Sequence, residues 1–438
     1  MSQRALPAGW TTAQLGELIE FKYGKALPDK VRSGCGFPVF GSNGIVGMHS
    51  DALTSGPTLI VGRKGSVGVV HYSATSCSPI DTTYFVDQVP IAQFRYWYYQ
   101  LKSLNLSTLN KSTAIPGLSR GDVYPLEIRL PPSPEQQRIA DKLDTVLARV
   151  DAVSARLARV APLLKRFRQS VLAAATSGAL SDDWRKSSLL EKYSGSHPWI
   201  KCSLRQCVQR MTGGASPSSE DYTPTGLLVL NKGDIKPFGC VLTKAPPNRI
   251  PCRFAESHLT KIVSAGALLV TLRDLSSKAD FLGLMGIYKG HESALLTQGM
   301  YSLQVTDVVL PEYLVCFSNS PAYREFVKQE KVGATQVHLR NDQLLDMPIA
   351  LPTVPEQTEI VRRVELLFAF ADRLEARLQA AQTATSRLTP SLLAKAFRGE
   401  LVPQDPNDEP AAELLRRLAQ TKPESTARGR KPRAKPNT

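Results

Sequence analysis

An internal repeat constrains this chain more than any other feature. The segment from Ile128 reads I-R-L-P-P-S-P-E-Q-Q-R-I, and the segment from Ile349 reads I-A-L-P-T-V-P-E-Q-T-E-I. Pro134 aligns with Pro355 at an offset of 221 residues, and the register holds without a gap for about fifty residues. Glu135 and Gln136 match Glu356 and Gln357; Ser170, Gly178 and Leu180 match Ser391, Gly399 and Leu401. A fainter repeat precedes each copy. Pro7-Ala-Gly-Trp10 resembles Pro198-Trp199, and Lys22-Tyr-Gly-Lys25 parallels Met211-Thr-Gly-Gly214. Between these landmarks the halves diverge. The chain is therefore organised as variable, repeat, variable, repeat: the repeats share a job, and the divergent parts perform different versions of another.

The repeats read as long helices. In the first, Ser133 is a candidate N-cap with Pro134 at N1 and Gln136 at N3. Apolar residues recur at Ile139, Leu143, Val146, Val150, Val153, Leu157, Val160, Leu164, Phe167 and Val171. Steps of four and three alternate, as on a coiled-coil seam. The second copy places Ile360, Val364, Leu367, Ala371, Leu374, Leu378, Ala381, Thr385, Leu388 and Leu392 in the same register, with Thr353 as its cap. Gly178 and Gly399 are the expected stops. About 40 helical residues span roughly 60 Å, so two such helices make a rod. Pro162 and Pro390 lie inside the patterns and should kink or break them. Ordinary core helices of a single domain are the competing reading.

The variable regions read as mixed α/β domains. The first is rich in glycine and β-branched residues, as in Val39–Gly44 and Leu59–Gly68, which predicts short strands and tight turns. Phe94 to Leu106 predicts a helix. In the second, Leu227–Asn231, Ala267–Leu272, Leu282–Tyr288 and Met300–Val305 predict strands, and Pro311–Val327 a helix. The expected fold is α+β: two α/β domains separated by two long antiparallel helices forming a coiled coil, related by a pseudo-twofold repeat. The divisions fall at 1–132 and 186–353 for the mixed domains, 133–185 and 354–402 for the helices, and 403–438 for a basic tail without a fixed fold.

Charge narrows the function. The net charge is +15 and the pI about 9.5, a balance suited to a polyanionic partner such as nucleic acid. The tail from Arg428 carries five basic residues and no acid, so most of the excess lies upstream. The seven cysteines include no C-x-x-C pair, so neither a disulfide framework nor a zinc site is indicated, and a reducing cytoplasm fits. The N-terminal residues lack the apolar core of a signal peptide, and no apolar run reaches membrane-spanning length.

Glycine-rich turns bring backbone close to phosphates, and Arg or Lys on them can pair with phosphate or with guanine edges. This selects Lys22, Lys25, Asn43, Arg63, Lys64, Ser66 and Arg120 in the first region, and Thr212, Lys232, Arg273, Arg340 and Asn341 in the second. Arg63 and Lys64 stand out because glycines flank them in an apolar strand context. The Tyr96–Tyr99 cluster is a candidate for base stacking, although on a helix such a cluster more often belongs to the core. Asp81–Thr83 and Asp274 read as turn or DNA-proximal residues. Catalytic signatures are absent. Gly62–Ser66 fails the Walker A spacing, no H-E-x-x-H or Gly-x-Ser-x-Gly occurs, and Pro246-Pro247-Asn248 reverses the order of an adenine-methyltransferase loop.

Gly41–Gly47, Val61–Gly68, Ile80–Tyr84, Ile115–Arg120 and Leu130–Gln137 with its second copy Leu351–Gln357 together resemble the specificity subunit of type I restriction–modification enzymes. The likeness covers essentially the whole chain. Gln336–Arg340 departs from the Ile-Pro-Gly-Leu-Ser-Arg form, so carry-over of residue roles is weaker there. The resemblance implies a non-catalytic reader of double-stranded DNA. Each mixed domain would read one half of a bipartite target in the major groove, and the helices would set the spacer. It also implies two methyltransferase subunits using S-adenosylmethionine, and translocase/endonuclease subunits using ATP and Mg, with no cofactor in this chain. A stand-alone DNA-binding regulator and a coiled-coil scaffold without a DNA role remain the alternatives.

Overall fold

The structure is a computed structural model. It describes every residue except 1–4, 91–93, 111–116, 193–198, 240, 242, 244 and 422–438. The chain forms two compact units, one from residues 1–158 with 380–438, the other from 159–379. These units divide the repeat helices between them, so each mixed domain shares a hydrophobic core with its own stretch of helix.

In the first unit, Thr11–Gln14 pairs antiparallel with Glu127–Leu130. A four-stranded antiparallel sheet runs Lys22–Tyr23, Thr83–Val86, Thr58–Gly62, Val70–Ser73. A three-stranded sheet joins Phe37–Gly41 to Gly44–His49 and, in parallel, to Ser78–Pro79. The predicted helix from Phe94 ends at Ser103, and a 3-10 turn follows at Leu106–Leu109. Tyr96, Trp97 and Tyr99 of the aromatic cluster are buried there, in the core rather than on a base-stacking surface.

The second unit repeats this scheme. Ile200–Ser203 pairs antiparallel with Pro348–Leu351. One sheet orders Val208–Gly213, Met300–Val305, Leu268–Thr271 and Met285–Ile287; another orders Arg249–Ile250, Leu227–Leu230, Ala294–Leu296 and Ile262–Val263. The single helix expected over Pro311–Val327 is two, Pro311–Ser318 and Pro321–Glu330. Pro321 has no N–H to continue the first helix, and Ser320 caps the second by accepting from Tyr323 N.

The repeat helices differ in continuity. The first is broken: Ser133–Ala158 ends before Val160–Ser177 begins. Pro162 cannot donate to the Ala158 carbonyl and its ring crowds that group, which places the break. The second runs unbroken from Val354 to Ala396 through Pro390. Most seam positions are buried or half-buried, but Val153, close to the break, is 45 % exposed. In the second unit Arg168 binds Asp372 and Glu375, while Ser181, thirteen positions on, reaches Glu356 (2.7 Å). Partner numbers fall as residue numbers rise, so the helices are antiparallel.

The first helix starts one residue earlier than the sequence suggested, and the second starts after Thr353 as expected. Gln136 N donates to Pro132 O (2.9 Å) and Gln357 N to Thr353 O (2.9 Å), so Pro132 and Thr353 are the cap positions. Ser133 is therefore the first helical residue, and Gln136 reaches back to the Pro131 carbonyl instead of forming a capping box. Gly178 and Gly399 adopt positive φ at the expected stops. Beyond them, the segment expected to lack a fold contains the helix Ala411–Thr421, with Ala411 and Leu414 buried in the first unit's core. The remainder of the basic tail lies outside the described residues.

The repeated glutamates explain the repeated tryptophans. Glu135 is fully buried and accepts from Trp10 Nε1 (2.9 Å) and Gln404 Nε2 (3.4 Å). Glu356, equally buried, accepts from Trp199 Nε1 (3.1 Å), Ser181 Oγ (2.7 Å) and Arg185 Nε (3.0 Å). Each node ties the entry to a mixed domain onto the start of a repeat helix.

Candidate nucleic-acid interface

The first unit gathers most of its sequence-selected residues around the loop Ile80–Thr83. Arg63 N donates to Thr82 O (2.9 Å) and Arg63 Nη1 to Asp81 O (3.2 Å). Lys25 N donates to Pro79 O (3.1 Å), which sets exposed Lys25 beside the same loop. Leu118 N donates to Arg63 O (2.9 Å), and Lys64 bridges to Gly117, which draws Arg120 into the group. The 41–44 turn, carrying exposed Asn43, packs on the 62–66 turn, carrying Ser66. A Cβ on Gly65 would lie 3.2 Å from Ser42 Oγ.

Tyr23 is the centre of this surface. It is 49 % exposed, with the Arg63 guanidinium 5.0 Å and the Arg120 guanidinium 4.7 Å from its ring centroid. Tyr84 lies behind it at 5.1 Å and donates its hydroxyl to Leu118 O (3.0 Å). Burial lifts the Tyr84 phenol above its ordinary value and the Tyr23 hydroxyl adds to the rise, against the opposing pull of Arg63 and Arg120. Lys22 takes no part. Adjacent strand residues face opposite ways, and Lys22 pairs with Asp87 instead (2.7 Å). Tyr23 was not selected from sequence. Its signal was available in that alternation: if Lys22 faces one side, Tyr23 faces the other. The Ile115-Pro116 part of the neighbouring motif lies outside the described residues.

The second unit builds the same backbone frame with other side chains. Gly24 N→Thr83 O, Lys25 N→Pro79 O, Thr83 N→Ile80 O, Arg63 N→Thr82 O and Leu118 N→Arg63 O recur one for one. Their counterparts are Gly214 N→Met300 O, Ala215 N→Leu296 O, Met300 N→Thr297 O, Leu272 N→Gly299 O and Leu339 N→Leu272 O. The parallel pairings Val39↔Ser78 and Val229↔Leu295 extend the match. Lys22 therefore corresponds to Thr212, one position later than the sequence parallel placed it. Arg63 corresponds to Leu272, Lys64 to Arg273, Ser42 to Lys232 and Arg120 to Asn341. Tyr23 corresponds to Gly213, so the aromatic centre is missing.

Among the sequence-selected residues of this unit, Arg273, Arg340 and Asn341 are exposed. Arg273 pairs across to His338, two residues before Arg340. Arg340 is the N-cap position of the helix Asn341–Leu345, matching Ser119 ahead of Arg120–Val123. Thr212 and Lys232 are half-buried, the first on a strand opposite Ser302, the second in the 3-10 turn Lys232–Asp234.

Comparison with known proteins bears directly on this duplicated frame. The family model described as "Type I restriction modification DNA specificity domain" matches residues 7–161 and 260–381, one stretch in each half of the chain. The chain belongs to this family. It is 29% identical over 421 residues to the type I restriction enzyme EcoDI specificity subunit of Escherichia coli, covering 92% of this chain and 91% of the relative. Identity to the EcoKI specificity subunit of E. coli strain K12 is 32% over 303 residues, 68% of this chain and 63% of that one. The fold is that of the HsdS subunit from Thermoanaerobacter tengcongensis, with a TM-score of 0.55 at 19% identity over 91% of this chain and 99% of that one. A chain solved in work on type I complex assembly and conformational transition gives 0.59 at 17% identity, over 91% and 100%. The expected α+β organisation with an internal repeat is present.

Proposed function

We propose that this specificity subunit reads a bipartite duplex DNA target, one half-site per mixed domain, and performs no chemistry itself. The observation that carries this reading is the duplicated frame: one hydrogen-bonded scaffold presents Tyr23, Arg63, Lys64 and Arg120 in one unit, and exposed Arg273 and Asn341 in the other, where Gly213 and buried Leu272 stand in place of Tyr23 and Arg63. Identical scaffolds with different side chains suit two readers of different sequences. The paired helices set the unspecified spacer and dock two methyltransferase subunits, which bind S-adenosylmethionine and flip an adenine in each half-site. Translocase/endonuclease subunits supply ATP- and Mg-dependent cleavage. The complex works in the cytoplasm; no helix among the described residues is long and apolar enough to cross a membrane.

The test is co-expression with a cognate methyltransferase subunit and mapping of the modified adenines. A bipartite motif is expected, and replacing residues 1–132 by another reading domain should change one half and preserve the other. A motif untouched by the exchange contradicts the reading. Tight, partner-independent binding to a single operator would favour a stand-alone regulator, and DNA binding indifferent to salt would favour a scaffold.

Phosphate contacts give a finer expectation. In the assembled complex, affinity should fall steeply with salt, with a log–log slope of about −0.9 per neutralised phosphate. Lys64→Ala should weaken binding to all sequences alike and reduce that slope by about one. Lys22→Ala should leave the slope unchanged, because Asp87 already neutralises it. Filter-binding titrations at several salt concentrations measure both.

A further inference from the structure

The geometry points to Arg63 and Arg120, stacked on Tyr23, as the element that reads a guanine in the first half-site. This rests on the DNA-reading function proposed above and assigns residues to it. Arg63 and Arg120 lie 57 positions apart in sequence, yet their guanidiniums sit 5.0 and 4.7 Å from one exposed ring. Each is anchored by one hydrogen bond to a backbone carbonyl, Arg63 to Asp81 O (3.2 Å) and Arg120 to Phe21 O (3.2 Å), and Arg120 is held further by the Tyr124 hydroxyl. No carboxylate pairs with either among the described residues. A guanidinium carries five N–H donors, so most remain available on both. Stacking and anchoring together fix a planar fork before DNA arrives, which lowers the entropy lost on binding. A fixed fork beside a second one matches the O6 and N7 acceptors of guanine in the major groove.

A generic phosphate clamp would account less well for the arrangement. Phosphate contact needs positive charge but no aromatic platform, and exposed Lys25 and Lys64 already supply charge at the same loop. The second unit supports the distinction. Its equivalent frame keeps a cation at the Lys64 position, Arg273, but carries Gly213, Leu272 and Asn341 where the first unit has Tyr23, Arg63 and Arg120. Charge is retained at the Lys64 position, although buried Ala215 replaces Lys25, and the whole stacked group changes. That is the behaviour of specificity-determining positions.

The experiment uses the purified complex of this chain with its methyltransferase subunits. Duplexes carry 7-deazaguanine in place of each guanine of the first half-site in turn; the analogue lacks only the N7 acceptor. The wild-type complex is expected to lose roughly 5- to 150-fold in affinity at one of these guanines. Arg63→Gln or Arg120→Gln should bind the natural duplex more weakly, become indifferent to the analogue, and relax the methylated motif at that base. Recognition of the second half-site by the same variants serves as the control for a folded chain, and Arg63→Lys is the milder replacement if Arg63→Gln fails it. A wild-type complex indifferent to 7-deazaguanine at every first-half guanine overturns the assignment, as does a motif unchanged in both glutamine variants. Absence of any bipartite motif in the wild type would instead defeat the DNA-reading function itself.

Discussion

Gly24→Ala and Gly214→Ala should each destabilise their own unit by about 3 kcal/mol or more. A Cβ on Gly24 would sit 2.6 Å from Pro79 O and nearer still to Ile80 O; on Gly214 it would sit 2.6 Å from Leu296 O and nearer to Thr297 O. The obstacle is backbone in both cases, which cannot swing away as a flexible side chain does. Both glycines donate their N–H into the frame, to Thr83 O and Met300 O, so moving them also pulls apart the strands that carry the reading residues. The expected sign is faster amide exchange over Thr83–Val86 for the first variant and over Met300–Val305 for the second, with the other unit protected as in the wild type. The modified motif should lose one half-site in each case. Unchanged exchange in both would show that the loop carbonyls yield easily, and the frame would then be too soft to pre-position an arginine fork.

The same glycines show what was legible from the sequence. Gapless similarity near Pro-Glu-Gln exposed the repeat helices, since a heptad seam and a shared offset of 221 are readable without coordinates. Within the mixed domains the correspondence survives in hydrogen bonds, while the offset drifts from 190 at Gly24/Gly214 to 209 at Arg63/Leu272 and 221 at Leu118/Leu339. Loops of different length cause the drift, and single-residue comparison loses the register at each one. The placement of Lys22 opposite Met211 failed on a smaller shift, a bulge between Val208 and Arg210 that puts one extra residue into the strand. Selecting basic residues on glycine turns found Arg63 and Arg120 separately; what joins them is Tyr23, whose role depends on which strand face turns toward the loop. A proline inside a pattern disrupts the turn before it, but the sequence alone did not show which of the two prolines would break its helix. Pro162 broke its helix near Arg159, whereas Pro390 was accommodated within an unbroken one.

The two buried glutamates should respond oppositely to mutation, although they occupy the same repeat position. Glu356 carries a charged partner: Arg185 donates to it from Nε at 3.0 Å, and its Nη2, which donates to Gly178 O, lies 2.9 Å away in the same ion pair, beside Trp199 and Ser181. Glu356→Ala strands a partly buried guanidinium and an indole N–H, which should cost about 3 kcal/mol. Among the described residues Glu135 receives only neutral N–H donors, from Trp10 and Gln404, while nearby Arg138 is engaged by Asp408. Burial is the main cause that raises its carboxyl above the ordinary value. A carboxyl with a raised folded pKa is penalised when ionised, so its contribution at neutral pH is unfavourable and the penalty is relieved as pH falls through the folded value. Glu135→Gln keeps an acceptor for Trp10 and removes that penalty. Its stability relative to wild type should therefore be greatest near neutral pH and shrink toward the carboxylate range, a trend that denaturant unfolding at several pH values resolves. Should Glu135→Gln lose as much stability as Glu356→Ala at neutral pH, the first node would have to be holding a charge that the described residues do not contain.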